Sequence, residues 1–344
     1  MHPVHPKIRR KESVIISKTP FRISFFGGGT DYPAWYKENG GAVLATTINK
    51  YCYITCRYLP PFFEHRHRII YSKMEEVKLI TDIQHPSARE CLRFMKIAEG
   101  VEIHHDGDLP ARTGLGSSSS FTVGLLNALY ALNGVMVTKR QLAFDAIYVE
   151  QELIKENVGA QDQVLAAFGG FNRIEFGRED NIQIQPITLN HQRLELLQDH
   201  FMLFFTGFSR TASEIAAEQI KNVPYKKKEL NAMYQMVGQA IDIINGNCSI
   251  SEFGNLLHES WQLKRSLTDK ISNPYIDDIY AAALKAGATG GKLLGAGGGG
   301  FILFFAKPDV QPSVKAKLSS LLHVPFQFEN LGSQIIFYQP DNYP

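Results

Sequence analysis

Apolar residues recur along this chain with two spacings, and the spacing switches several times. Alternating or β-branched and aromatic runs predict strands at 13–17, 22–26, 66–71, 101–105, 171–176 and 182–187, with one long or bent strand over 42–58. Helical spacing predicts helices at 87–98, 118–132 and 138–155, and a further one closed by Gly169-Gly170. Pro86 stands at the first turn of the earliest of these, where its missing N–H costs nothing. Residues 190–199 read as the crossing into a second domain. Beyond it, Phe201-Met-Leu-Phe-Phe-Thr206 has the pattern of a buried strand. Helices are expected at 211–221, 226–245, 250–267 and 275–286, strands at 289–294 and 300–306, then a helix at 311–322 and a strand at 333–338. The grouping indicates an α+β protein with segregated helices and antiparallel sheets, not a regular βαβ repeat. Two domains are expected, 1–195 and 196–344, with no internal repeat or low-complexity linker.

Composition narrows the class. A chain of 344 residues is long enough for sizeable cores, and 44% hydrophobic with 20% charged residues is ordinary for a soluble globular protein. A formal charge of +2 gives no support for nucleic-acid binding, and Lys226-Lys-Lys228 reads as a solvated helix face. The first residues lack an apolar signal core, and no run reaches the roughly 18 apolar residues a membrane helix needs. A cytoplasmic protein without membrane partners is expected, its first ten residues a loose arm. Cys52 and Cys56 fall on one strand face, Cys91 and Cys248 are isolated, and no Cys-x-x-Cys pair occurs. Buried free thiols in a reducing compartment fit this usage better than zinc.

Candidate chemistry gathers at glycine clusters. Pro110-Ala-Arg-Thr-Gly-Leu-Gly-Ser-Ser-Ser-Ser120 runs directly into the apolar stretch Phe121–Tyr130. Gly114 and Gly116 allow a tight turn, and free N–H groups meet the positive end of a helix dipole there. That combination holds an anion such as a nucleotide phosphate, although serine capping of an ordinary helix has the same look. It is not a Walker A loop, since no Gly-Lys-Ser/Thr follows. A second cluster, Gly27-Gly-Gly-Thr-Asp31, ends a strand; Asp31 can accept two hydroxyls or merely cap a turn. A third, Lys292-Leu-Leu-Gly-Ala-Gly-Gly-Gly-Gly300, leaves space for a close backbone or a phosphate, or forms a plain hairpin. Glu150 could complete a magnesium shell, and Asp162 could orient or deprotonate a hydroxyl. Both could equally be surface acids.

These clusters, in this order, resemble the three motifs of the GHMP kinases, over roughly residues 14–340. The resemblance implies an N-terminal domain like ribosomal protein S5 domain 2 and a ferredoxin-like C-terminal domain, with the active site between them. It implies ATP and Mg²⁺, with ATP on Pro110, Gly114, Leu115, Gly116 and Ser117 to Ser120 (Ser117, Ser118, Ser119, Ser120), and the metal on Ser118 and Glu150. Asp162 matches the Asp that faces the anomeric hydroxyl, and Arg22 the basic residue that would keep it ionised. Gly28, Gly29, Thr30, Asp31, Gly159, Gln161, Gly297 and Gly298 fall at the sugar.

One departure from the galactokinase form points to the substrate. Galactokinases carry Gly-Glu-His-Thr-Asp where this chain has Gly27-Gly-Gly-Thr-Asp31, so a carboxylate is replaced by Gly28. The segment is similar to the branch that phosphorylates a heptose 7-phosphate at O1, for nucleotide-activated heptose and lipopolysaccharide. His85–Arg93, Thr206–Ala212 and Trp261–Arg265 share that similarity. A distal phosphate calls for arginine forks or lysines, and Arg210, Arg89, Lys264 and Arg265 are the candidates. The partners implied are small molecules, a sugar phosphate and ATP, with the protein a monomer or homodimer. Another sugar 1-kinase, fucokinase-like or galactokinase-like, remains an alternative, as does a non-catalytic sugar sensor on the same fold.

Overall fold

Two long strands form the spine of the first sheet. The computed structural model describes residues 13–178, 181–207, 212–246 and 248–339, so the arm expected over the first ten residues and Arg210 lie outside it. Strand β1 (Val14–Phe26) and strand β2 (Gly41–Tyr58) pair antiparallel from Val14 against Arg57 to Phe26 against Leu44. The segments 13–17 and 22–26 are thus one strand rather than two. The register shifts after Pro20, so the residue that cannot donate a ladder bond sits at a bulge. Helix α1 (Pro33–Asn39) joins the two strands.

The length of β2 lets it serve several partners. Its second half carries β5 (Val101–Gly107), beside which lie β3 (His67–Ile70) and the outer β4 (Met74–Val77). Its first half carries β6 (Phe171–Phe176), which pairs with β7 (Ile182–Pro186). One face is covered by α2 (Pro86–Phe94), α3 (Ser117–Leu132), α4 (Lys139–Tyr148) and α5 (Gln161–Phe168). Helix α3 is apolar on nearly every side because it is central, against β1 and β2 as well as the other three helices. Gly124 permits that approach: a Cβ there would lie 2.8 Å from Thr19 Oγ1. The helix expected over 138–155 ends its α form at Tyr148 and continues as a single π turn, Val149–Leu153.

The segment 190–199 is not a plain crossing but helix α6 (His191–Asp199), capped by the Asn190 side chain on Arg193 N. The second sheet follows, with β8 (Phe201–Phe205), β9 (Gly290–Leu293), β10 (Phe301–Phe305) and β11 (Leu322–His323). Its strand order is β11-β8-β10-β9, all antiparallel, which is the ferredoxin-like arrangement. Helices α7 (Ala212–Asn222), α8 (Lys227–Asn245), α9 (Ser251–Arg265) and α10 (Pro274–Lys285) intervene between β8 and β9, and α11 (Gln311–Lys317) between β10 and β11.

The chain then returns. Strand β12 (Phe328–Glu329) pairs with β2, and β13 (Gln334–Gln339) pairs with β1. The strand expected to close the second domain therefore completes the first sheet instead. Aromatic rings weld the two sheets together. Phe25 of β1 stacks on Phe201 of β8 at 4.9 Å between ring centres and meets Phe253 of α9 edge-on at 5.7 Å. Cys52, Cys56 and Cys91 are buried free thiols, whereas Cys248 is exposed. Among the described residues no helix is long and apolar enough to cross a membrane.

Candidate active site

The serine-rich segment opens α3 as expected. Gly116 stands just before the helix at φ 74° and Gly114 at φ 89°, both in the region that disfavours side chains. The loop is pressed against the third glycine cluster. A Cβ on Gly114 would lie 2.4 Å from Leu294 O, and one on Gly300 would lie 2.4 Å from Thr113 O. Thr113 Oγ1 donates to Pro110 O at 2.7 Å, and Arg22 N donates to Leu115 O at 3.0 Å. Ser117 Oγ accepts from Arg112 N at 2.9 Å, and Ser120 Oγ donates to Pro20 O at 2.9 Å.

Beside this helix start lies the pair Arg22 and Asp162. Arg22 Nε and one terminal nitrogen donate to the two Asp162 oxygens, each at 2.7 Å, while the other nitrogen donates to Gly114 O at 2.6 Å. The fork fixes the carboxylate in a plane and ties it to the glycine-rich loop at Gly114. A Cβ on Gly116 would lie 3.1 Å from Arg22 Cγ and 3.3 Å from Asp162 Oδ2. The glycine- and serine-rich loop and the carboxylate thus lie side by side.

The first glycine cluster closes the far end. Asp31 accepts from Gly29 N and from Gln161 Nε2, each at 2.9 Å, and burial pushes its carboxyl above the usual carboxylate range. Gly159 must be glycine, because a Cβ would lie 1.8 Å from Asp31 Oδ2. Thr30 Oγ1 bonds Gly27 O and Ala42 O, which fixes the turn. A Cβ on Gly28 would be 3.6 Å from Ser24 Oγ and 3.9 Å from Gln161 Nε2. Gly297 and Gly298 fold instead onto Ile271, with Gly298 N donating to Ile271 O at 3.0 Å.

Glu150 sits on the π turn with no exposed surface. Its Oε2 accepts from Ser119 Oγ at 2.8 Å and from Gln163, while Oε1 is buried without a partner. Burial pushes its carboxyl up to about 7. The serine that meets Glu150 is Ser119, not Ser118. Successive side chains turn by about 100° around a helix, so Ser119 points inward and Ser118 is exposed. A buried carboxylate with one free oxygen beside serine hydroxyls fits magnesium, which takes oxygen donors and few protein carboxylates. Among the described residues no group of three or more His, Cys, Asp or Glu gathers into a metal cluster.

Of the four cations expected at a distal phosphate, the three among the described residues have separate partners. Arg265 pairs with Asp277 of α10 at 2.9 Å. Arg89 is held by Glu90 and Ile83 O, each at 2.9 Å. Lys264 is buried, its ammonium on Leu293 O at 3.2 Å and on Gly295 O. Burial, then the Arg22 charge, pulls its pKa down to about 7. Arg210 lies outside the described residues. Lys292, in the third motif but not singled out from sequence, reaches from β9 to donate to Phe25 O of β1 at 2.7 Å. A lysine inside the apolar run Gly291–Leu294 was the signal for it.

A helix start with free N–H groups, a carboxylate held beside it by an arginine fork and a buried acid bonded to its serine are parts that phosphoryl transfer can use. Residues 84–170 match the GHMP kinases N terminal domain and residues 247–324 the GHMP kinases C terminal domain. The chain is 29% identical over 310 residues to the D-glycero-alpha-D-manno-heptose 7-phosphate kinase of Campylobacter jejuni, covering 86% of this chain and 90% of that one. It is 26% identical to the L-fucokinase/L-fucose-1-P guanylyltransferase of Bacteroides fragilis, covering 89% of this chain but only 36% of that longer protein. A solved D-glycero-D-manno-heptose 1-phosphate kinase from Bacteroides thetaiotaomicron superposes with a TM-score of 0.69 at 25% identity, over 93% of this chain and 97% of that one. The chain belongs to the GHMP kinases and is an ATP-dependent phosphotransferase with an alcohol group as acceptor.

Proposed function

We propose that this kinase phosphorylates the anomeric O1 of a heptose 7-phosphate, D-glycero-D-manno-heptose 7-phosphate, giving the 1,7-bisphosphate for nucleotide-activated heptose. The observation that carries the reading is the Arg22–Asp162 fork at 2.7 Å, in contact with the phosphate-loop glycine Gly116. Likeness to the Campylobacter enzyme over most of both chains supports the choice of sugar. The triphosphate lies across the start of α3, received by the N–H groups that follow Gly116. Asp162 accepts or orients the O1 proton, and Arg22 holds both carboxylate oxygens so that one lone pair faces the hydroxyl. Phosphoryl transfer depends on alignment and charge more than on covalent help, and this arrangement supplies both. Gly29, Thr30, Asp31, Gly159 and Gln161 form the sugar end, with Gly28 leaving room where a glutamate would intrude. Ser119 and Glu150 would hold magnesium, with Ser118 at the rim; when bound, the ion neutralises phosphate charge. Among the candidate cations that are described, Lys264 is the one whose charge is felt by the Arg22–Asp31 neighbourhood.

A fucokinase-like reading has its own support in the Bacteroides fragilis relative. A panel of sugars and sugar phosphates with Mg·ATP separates the two. Release of ADP would be followed, and ³¹P NMR would locate the new phosphate. Faster turnover of an unphosphorylated sugar than of the heptose 7-phosphate overturns the proposal.

A further inference from the structure

Two buried polar atoms at the sugar end have no hydrogen-bond partner, and the side chains that carry them flank the same glycine. Ser24 is 7% exposed and its Oγ is unpaired; Gln161 is 8% exposed and its Oε1 is unpaired. Native proteins leave few buried polar groups unsatisfied, because each costs the desolvation it never recovers. Ser24 lies two residues beyond Arg22 on β1, so the two side chains leave the same face of the strand. Arg22 uses that face to reach Asp162, which directs Ser24 into the same cleft. Gln161 has its amide nitrogen committed to Asp31 at 2.9 Å, which turns its oxygen to the other side. Gly28 supplies the space: the point where its Cβ would stand is 3.6 Å from Ser24 Oγ and 3.9 Å from Gln161 Nε2, with the unpaired oxygen on the same amide group further off.

We propose that Ser24 is a specificity-determining residue, its hydroxyl donating to one sugar hydroxyl that donates in turn to Gln161 Oε1 over Gly28. This rests on the reading of the cleft as a sugar-kinase site, but not on which sugar occupies it. The bound hydroxyl is one other than O1, since O1 belongs to Asp162. A site built to bond a hydroxyl rejects an analogue lacking it far more strongly than an apolar pocket rejects a missing methylene. Gly28 keeps the pair uncovered, and a side chain there would seal it.

The test uses the full chain and whichever sugar the wild type turns over fastest. Ser24→Ala should raise the KM for that sugar about tenfold or more, with the KM for ATP within about twofold. Gly28→Ala adds a methyl at ordinary contact distances, keeps the fold, and should produce the same selective rise. Among monodeoxy forms of the sugar, one should be a poor substrate for the wild type yet lose nothing further in Ser24→Ala. Equal penalties for every deoxy form, or an unchanged sugar KM in Ser24→Ala, overturn the inference and leave both orphan atoms to ordered water. Failure of the wild type on every sugar would sink the sugar-kinase reading instead. A fast wild type indifferent to Ser24→Ala sinks this inference alone.

Discussion

Asp162→Asn is the sharpest probe of the cleft. The substitution keeps the shape of the side chain and one acceptor, but sets an amide against the Arg22 guanidinium. The wild-type pair has two charge-assisted bonds at 2.7 Å. Losing one of these costs about 1.5–3 kcal/mol where it is fully buried. The Asp162 side chain is 23% exposed, so water recovers part of the loss and about 1–2 kcal/mol is expected. A fall of that size lowers Tm by roughly 1–3 °C in a chain of 344 residues and leaves the protein folded at 25 °C. Loss of a proton acceptor aligned with O1 should lower kcat by about 10²–10⁴-fold. The nucleotide KM should stay within about threefold, because the N–H groups of α3 are untouched. Steady-state kinetics on the preferred sugar, beside a thermal melt of the same preparation, separates these effects. A kcat within about threefold of wild type, with the expected drop in Tm, would refute a chemical role for Asp162. The fork would then be a structural clamp on the phosphate loop.

Three further outcomes follow from the same geometry. Gly114→Ala forces a side chain into φ 89° and onto Leu294 O, so nucleotide affinity measured by calorimetry should fall by more than about tenfold, whereas Gly134→Ala, with open space around it, should leave affinity unchanged. Glu150 has a folded pKa of about 7, above its unfolded value, so the folded state holds the proton more tightly and stability falls as pH rises from about 4.5 towards 7. Melted without metal, Glu150→Gln should therefore gain Tm relative to wild type at pH 8 but not at pH 4, and assayed with Mg·ATP it should lose turnover; an equal Tm difference at both pH values would show that Glu150 carries no burial penalty. Phe25→Ala removes the ring that joins both sheets and should cost about 3–5 kcal/mol in urea unfolding.

The glycine motifs were legible because glycine marks backbone constraints that no other residue meets. Gly114, Gly116, Gly159 and Gly300 each occupy a place where a Cβ would strike another part of the site or where φ is positive. The Arg22–Asp162 pair was legible only through resemblance, since 140 residues separate its partners. Which serine meets Glu150 depends on where the first helical turn begins, a matter of one residue that composition does not carry. The partners of the candidate cations were hidden for a different reason. A charge in sequence does not disclose its partner, and Arg265 and Arg89 are already committed to Asp277 and Glu90. The return of β13 was hidden because Gln334–Gln339 shows a strand pattern but not which edge it joins.

That return has a consequence for how the molecule is made. Strand β1 emerges from the ribosome ahead of its outer neighbour β13 and waits more than 300 residues for it. The ferredoxin-like unit, Phe201 through His323, is complete before that neighbour exists. Docking of the tail is then a late clasp, and a nascent chain halted short of residue 334 leaves a bare hydrogen-bonding edge open to strangers.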